Sequence, residues 1–211
     1  MRLLLATRSP DKLREARGIL SGLAGLELLG LDDVGIEERA EEASIEAFDT
    51  FEENAAAKAL YFARRSGILT VADDSGIAVD ALGGRPGVHS KRFAPETALA
   101  SGTSRDQANN SHLLQLLGSV PGPKRSARYV CVLALVDGDA PPSLFRGEVE
   151  GSILFEPEGL GGFGYDPLFY HPGLDRSFGG VDQATKGELS HRGVAFRQLR
   201  DHLHSAMESS S

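Results

Sequence analysis

The chain has 211 residues, of which 41% are hydrophobic and 25% charged, with a formal net charge of -8. That composition supports a globular core and argues against wholesale disorder. The acidic balance argues against coating a nucleic acid polymer, since phosphate neutralisation supplies most of that affinity. A small anionic ligand stays compatible, provided a few lysines, arginines or a metal ion gather in one pocket. Apolar runs of about seven residues fall far short of the roughly 20 needed to span a bilayer. No signal-peptide segment is read at the start. The single cysteine, Cys131, can make no internal disulfide and reads as a small buried hydrophobe. A cytoplasmic protein without a membrane partner is expected.

Residues 2–6 read as a short buried strand. A helix follows to about residue 21, with Ser9 as N-cap, Pro10 at the first helical position and Asp11 at the positive helix end. Residues 26–31 are a second strand, and the carboxylate-rich stretch 32–49 is mostly loop. Thr50 to Glu53 form a capping box opening a helix to about residue 65, ended by Gly67. Residues 68–72 are a strand that stops at Asp73-Asp74-Ser75-Gly76, and extended structure resumes over 77–79. A tight loop at 83–87 and a mobile excursion over 94–104 precede a helix ending near Leu117. Residues 128–136 and 143–154 form a long antiparallel pair, followed by a glycine-aromatic loop at 159–167. A final helix covers 190–204. One domain is expected over 1–205, with a disordered tail at 206–211. The alternation of strands and helices predicts an α/β fold, its sheet mixed because of the antiparallel pair.

Five segments offer chemistry. The strand-to-helix junction at Thr7–Lys12 presents backbone N–H groups, the Thr7 and Ser9 hydroxyls and the Lys12 charge, which suit a phosphate. Read alone, it is also an ordinary capped helix with a surface lysine. On the Thr50 helix, Phe51, Asn54, Ala55, Lys58 and Phe62 share one face. An amide and a lysine thus interrupt a core stripe, as a polyphosphate pocket requires, although Lys58 could equally snorkel outward. Asp73 and Asp74 are adjacent carboxylates that repel unless a cation or donors relieve them. In an extended chain they point to opposite sides, so one could bind magnesium while the other orients ligands or accepts a proton from water. Glu46 is a candidate third oxygen donor; a solvated turn is the alternative. In Gly161–Pro167 the glycines permit close approach, and Phe163 and Tyr165 could sandwich a flat base, or be core aromatics of a hairpin loop. Lys186, His191 and Arg192 place cations around a helix start capped by Ser190, where the dipole disfavours them unless an anion or polar acceptor is near.

In this order, Thr7…Lys12, Phe51-x-x-Asn54-x-x-x-Lys58, Ala72-Asp73-Asp74-Ser75-Gly76, Gly83-Gly84-x-Pro86-Gly87, Gly162-Phe163-Gly164-Tyr165-Asp166-Pro167 and Ser190-His191-Arg192-Gly193 resemble the inosine triphosphate pyrophosphatase family, from Leu3 to about Leu199. The resemblance implies an elongated two-lobed fold with the site in the cleft between lobes, and a homodimer. It implies that Thr7 to Lys12, with Ser9 among them, and Lys58 hold a purine triphosphate, helped by Ser75. Asn54 lies in the same motif. Glu46, Asp73 and Asp74 would serve magnesium, and Asp74 would activate water. Phe163, Gly164, Tyr165, Asp166, Lys186, His191 and Arg192 would hold the base. The implied reaction converts ITP, dITP or XTP to monophosphate and pyrophosphate. Two departures stand out: Ser9 occupies a position where the family usually has asparagine, and Ala184 and Thr185 are less acidic than its pattern. A pyrophosphatase for modified pyrimidines, a non-hydrolysing nucleotide sensor and an aspartyl phosphatase remain alternatives.

Overall fold

The computed structural model describes residues 1–99 and 102–209. The fold is α/β, with strands β1 (Arg2–Leu5), β2 (Glu27–Leu29), β3 (Thr70–Val79), β4 (Ser126–Val136), β5 (Ser143–Ile153), β6 (Phe169–His171) and β7 (Arg176–Ser177). Its helices are α1 (Pro10–Leu20), α2 (Phe51–Ser66), α3 (Arg105–Leu117), α4 (Gln183–Leu189) and α5 (His191–Ser209). One seven-stranded sheet runs in the order β2-β1-β3-β4-β5-β6-β7. It is mixed: β1 is parallel to β2 and β3, whereas β6 is antiparallel to β5 and β7.

The chain divides into two compact units, residues 1–74, 131–147 and 191–211, and residues 75–130 and 148–190. In the first unit, β1 carries Leu3, Leu4 and Leu5 with at most 1% exposure, so both of its faces are covered, as a parallel strand requires. Helices α1 and α5 pack their apolar stripes here: Ala16 and Leu20 from one, Ala195, Phe196, Leu199 and Leu203 from the other, around Val71, Cys131 and Leu133. Gly147 on β5 leaves room for α5; a Cβ there would lie 2.1 Å from the His191 carbonyl oxygen and 2.7 Å from the Ala195 nitrogen. The core of the second unit joins Ile77 and Val79 of β3 to Leu113 and Leu117 of α3, Tyr129, Tyr165, Phe169 and Phe178.

Several boundaries differ from the sequence expectation. β3 does not stop at Asp73 but runs on to Val79, because the two carboxylates are buried among cations and need no solvated turn. Residues 32–49 contain two 3₁₀ turns, Asp32–Val34 and Ala40–Ser44, the second tied down by Arg8 and Arg65, which both bind Glu42. A short helix not expected from the sequence, α4, is capped by Asp182, whose side chain accepts the Thr185 N–H at 2.9 Å. α5 continues to Ser209, so residues 206–209 of the expected tail are helical, and 210 and 211 lie outside the described residues. Residues 100 and 101 of the expected excursion also lie outside them; Glu96–Ala98 forms a 3₁₀ turn. No helix among the described residues is long and apolar enough to cross a membrane.

Candidate active site

The parallel register sets the first cluster. Leu4 and Leu5 pair with Thr70 and Val71, and the Ala6 N–H donates to the Val71 carbonyl at 2.8 Å. Asp73 on β3 therefore comes level with the turn that leaves β1 for α1, at the carboxyl ends of parallel strands where α/β folds bind ligands. In that turn the Thr7 hydroxyl accepts the Ser9 N–H at 3.2 Å, and Ser9 caps α1 by accepting the Lys12 N–H at 3.4 Å. The Ser9 hydroxyl thus keeps the capping role of its position. Lys12, one turn into the helix, reaches Asp73 at 2.8 Å.

From α2, Asn54 is 2% exposed and donates to Asp74 at 3.0 Å and to the Phe48 carbonyl at 3.2 Å. Lys58 forms an ion pair with Glu46. Thr50 caps α2 by accepting the Glu53 N–H, but its hydroxyl donates to the Glu53 carboxylate, so the reciprocal half of the capping box differs from the expectation. Lys58 also feels the charges of Asp73 and Asp74, and Glu46 that of Asp73, so Lys12, Asn54, Lys58, Glu46, Asp73 and Asp74 form one cluster.

The neighbouring aspartates have opposite acidities. Burial alone would raise both. At Asp73 burial is outweighed by Lys12, Lys58 and Arg192, which hold the carboxyl far below its usual range. At Asp74 burial prevails over Lys58 and Lys12, with Glu46 adding to it, and the carboxyl is pushed up to about 6. Glu46 is held low because Lys58 outweighs its burial, and Lys58 is held high because Asp73 and Glu46 outweigh its own. Cys131, buried and facing the Asp73 charge, is pushed up to about 12, which removes it as a nucleophile.

Among the described residues no three carboxylate, histidine or cysteine side chains converge as a metal cage. The expected trio Glu46, Asp73 and Asp74 is therefore not preassembled, because Glu46 and Asp73 each hold a lysine. The donor chemistry still fits magnesium. All three are hard oxygen donors that sense one another's charge, and this ion takes one or two carboxylates together with water and substrate phosphate.

Arg192, at the start of α5, lies in the first unit. It bonds Glu15 of α1 at 2.5 Å and stands 3.7 Å from Asp73, with 2% exposure. The structure thus groups Arg192 with the carboxylates of β3 and α1, and His191 beside it is 3% exposed. Glu15 was missed in the sequence; its signal was a carboxylate on the core-facing stripe of α1.

The second cluster lies wholly in the second unit. Asp166 is its anchor: its carboxylate accepts from Lys186 at 2.6 Å, the Phe163 N–H at 2.8 Å and the Tyr129 hydroxyl at 3.2 Å. Gly162, at φ 72°, wraps this carboxylate so closely that a Cβ would lie 2.2 Å from it. The Lys186 ammonium lies 4.3 Å from the centre of the half-buried Phe163 ring. Tyr165 corrects the expected sandwich: its ring is 4% exposed in the core and its hydroxyl donates to the Ser90 carbonyl at 2.9 Å, leaving no open face for a base. Ser75, half-buried on β3, belongs to this unit. Tyr129 was also missed, since nothing in β4 distinguishes a buried tyrosine with a partner from a core aromatic.

The α/β fold thus sets lysines among buried carboxylates at the carboxyl ends of its parallel strands, where folds of this class bind ligands. The sequence matches the Ham1 family over residues 3–202. It is 44% identical over 202 residues to a dITP/XTP pyrophosphatase of Geobacter sulfurreducens, covering 96% of each chain. A dITP/XTP pyrophosphatase of Nocardia farcinica is 47% identical, covering 94% of this chain and 92% of its own. Among solved structures, a HAM1 protein from Coxiella burnetii superposes with a TM-score of 0.83 at 33% identity, covering 97% of this chain and 99% of that one. The chain belongs to the Ham1 family.

Proposed function

We propose that this chain hydrolyses nonstandard purine nucleoside triphosphates (ITP, dITP and XTP) to the monophosphate and pyrophosphate, with magnesium. The observation that carries this reading is the opposed pair Asp73 and Asp74, flanked by Lys12 and Lys58. Family membership and the names of the relatives support it.

In this reading Thr7, Ser9 and Lys12 receive phosphate at the start of α1, and Lys58 and Asn54 act from α2, with Ser75 contributing from β3. Magnesium, held through Glu46, Asp73 and Asp74 with phosphate oxygens, would neutralise phosphate charge. Asp74 takes the proton of the attacking water: its carboxyl, raised to about 6, is more basic than an ordinary aspartate yet ionised at neutral pH. Water attacks the α-phosphorus, the bond to the bridging oxygen breaks, and the lysines offset charge on departing pyrophosphate. Asp73 is fixed in its ionised form by Lys12, which suits an electrostatic role and weakens it as a covalent nucleophile.

Phe163, Lys186, His191 and Arg192 are assigned to reading the base, with Gly164, Tyr165 and Asp166 holding the loop that carries Phe163. Hypoxanthine and xanthine present an acceptor at C6 and adenine a donor, so a site of hydrogen-bond donors favours the oxo bases. The Phe163 N–H is already given to Asp166, which leaves the choice to side-chain donors and the remaining amides. A homodimer in the cytoplasm completes the reading; gel filtration with light scattering tests the dimer.

The deciding experiment is a magnesium-dependent assay with ITP, XTP, GTP and ATP that identifies the phosphate product. Pyrophosphate from ITP and XTP is the expected result. Orthophosphate as the first product, or binding without turnover, would overturn the reading.

A further inference from the structure

Helix α3 places its first turn against the glycine-aromatic loop. The Asp106 carboxylate accepts the Gly164 N–H at 2.7 Å, and the Asn110 amide donates to the Gly164 carbonyl at 2.9 Å. The two side chains are one helical turn apart on a single face, so together they grip both polar groups of one residue. Gly164 has φ 63° and open space where a Cβ would stand, so side-chain packing does not fix it. Its neighbours are fixed from elsewhere, Phe163 through its N–H to Asp166 and Tyr165 through its hydroxyl to Ser90.

The support for this grip is rigid. α3 starts with a full capping box between Ser104 and Gln107. Asn109, 3% exposed, accepts the Ala94 N–H at 2.8 Å and donates to the Ser90 and Lys91 carbonyls at 3.2 and 3.1 Å. The helix that holds Gly164 is thereby tied to the segment that holds Tyr165.

We propose that Asp106 and Asn110 are positioning residues for base selectivity, clamping the Gly164 backbone on both sides of its Cα so that Phe163 and Lys186 keep one fixed geometry. The clamp also commits the Gly164 N–H to Asp106, which denies an indiscriminate donor to any oxo base, guanine included. A loop released at Gly164 regains conformational freedom that substrate must then quench, at the expense of affinity. This inference rests on the base-reading role proposed for the loop.

The test is steady-state kinetics of the full chain with ITP and GTP and magnesium, on Asp106→Ala, Asp106→Asn, Asn110→Ala and Ser104→Ala. Asp106→Ala and Asn110→Ala should raise KM for ITP about tenfold with kcat within about twofold, and lower the preference for ITP over GTP about fivefold. Asp106→Asn keeps an oxygen acceptor and should stay within about twofold of the parent in both. Ser104→Ala weakens the α3 cap without touching Gly164, so it should lower the thermal midpoint and leave the preference intact. An unchanged preference in both alanine variants overturns the proposal, as does an equal loss in Ser104→Ala or in Asp106→Asn. A parent protein that cleaves ITP and GTP alike overturns instead the base reading beneath it, before any variant is compared.

Discussion

Asp73 and Asp74 are consecutive on β3 and titrate in opposite directions, one held ionised by Lys12 at 2.8 Å, the other raised to about 6 by burial beside Asn54. Extended backbone turns neighbouring side chains to opposite sides, so adjacent residues of one type receive different surroundings. Asp74→Asn should abolish turnover, by about 10²–10⁴ or more, while substrate binding persists. Near-normal rates measured with ITP would exclude Asp74 as the base.

The same substitution should stabilise the fold. The native state holds the Asp74 proton more tightly than the unfolded chain does, so stability falls as pH rises from 3.8 toward about 6. Above that range the ionised, buried carboxylate costs up to roughly 3 kcal/mol, which a neutral amide avoids. Thermal midpoints of parent and variant should diverge across this window and converge below it. Equal midpoints at pH 7 would contradict the burial argument.

Activity carries the opposite slope. The base must be deprotonated, so kcat/KM at limiting magnesium should rise as pH passes about 6. Proton and metal compete for one carboxylate, so more magnesium should move this limb to lower pH. A limb that stays in place across magnesium concentrations would separate Asp74 from the metal.

Lys12→Ala leaves Asp73 buried with one cation fewer. A loss of about 1–3 kcal/mol is expected, moderated by Arg192 and by the partial exposure of Lys12. Asp73 has a depressed native pKa, so its contribution is full above 3.8 and lost as pH falls toward the lower native value. Removing Lys12 lifts that value, and acid unfolding should begin at higher pH. Circular dichroism along an acid titration reads this directly.

Arg192→Met removes the guanidinium that stands 2.5 Å from Glu15, a carboxylate itself 7% exposed. A cost of about 3–5 kcal/mol is expected, and Glu15→Gln in the same chain should recover a large part of it. Additive losses in the double variant, from denaturant unfolding, would show that the two side chains do not act as a pair.

Much of the frame was legible in the sequence. Ser9 and Pro10 announced α1, Thr50 announced α2, and the alternation of strands and helices gave the class, because these signals are local. The lysine of the α2 face also gave itself away, since Lys58 and Asn54 interrupt a stripe that otherwise reads as core. What escaped were features fixed by distant partners. Asp73-Asp74-Ser75-Gly76 has turn composition, yet cations from α1, α2 and α5 keep it in a strand. Tyr165 reads equally as a stacking face or a core aromatic, and Ser90, 75 residues away, decides for the core by taking its hydroxyl. Glu15, the partner of Arg192, is not legible either, because only the packing of α5 on α1 brings the two side chains together.

The bare backbone of Gly147 has a reach beyond its own strand. Because α5 begins where that residue lacks a side chain, one added methyl would lever the helix start outward and carry Arg192 away from Asp73. The acidity of the β3 carboxylate is therefore set partly by a hydrogen atom on a different strand, and a mutational map of this enzyme should show a sensitive spot at 147 with no side chain of its own to explain it.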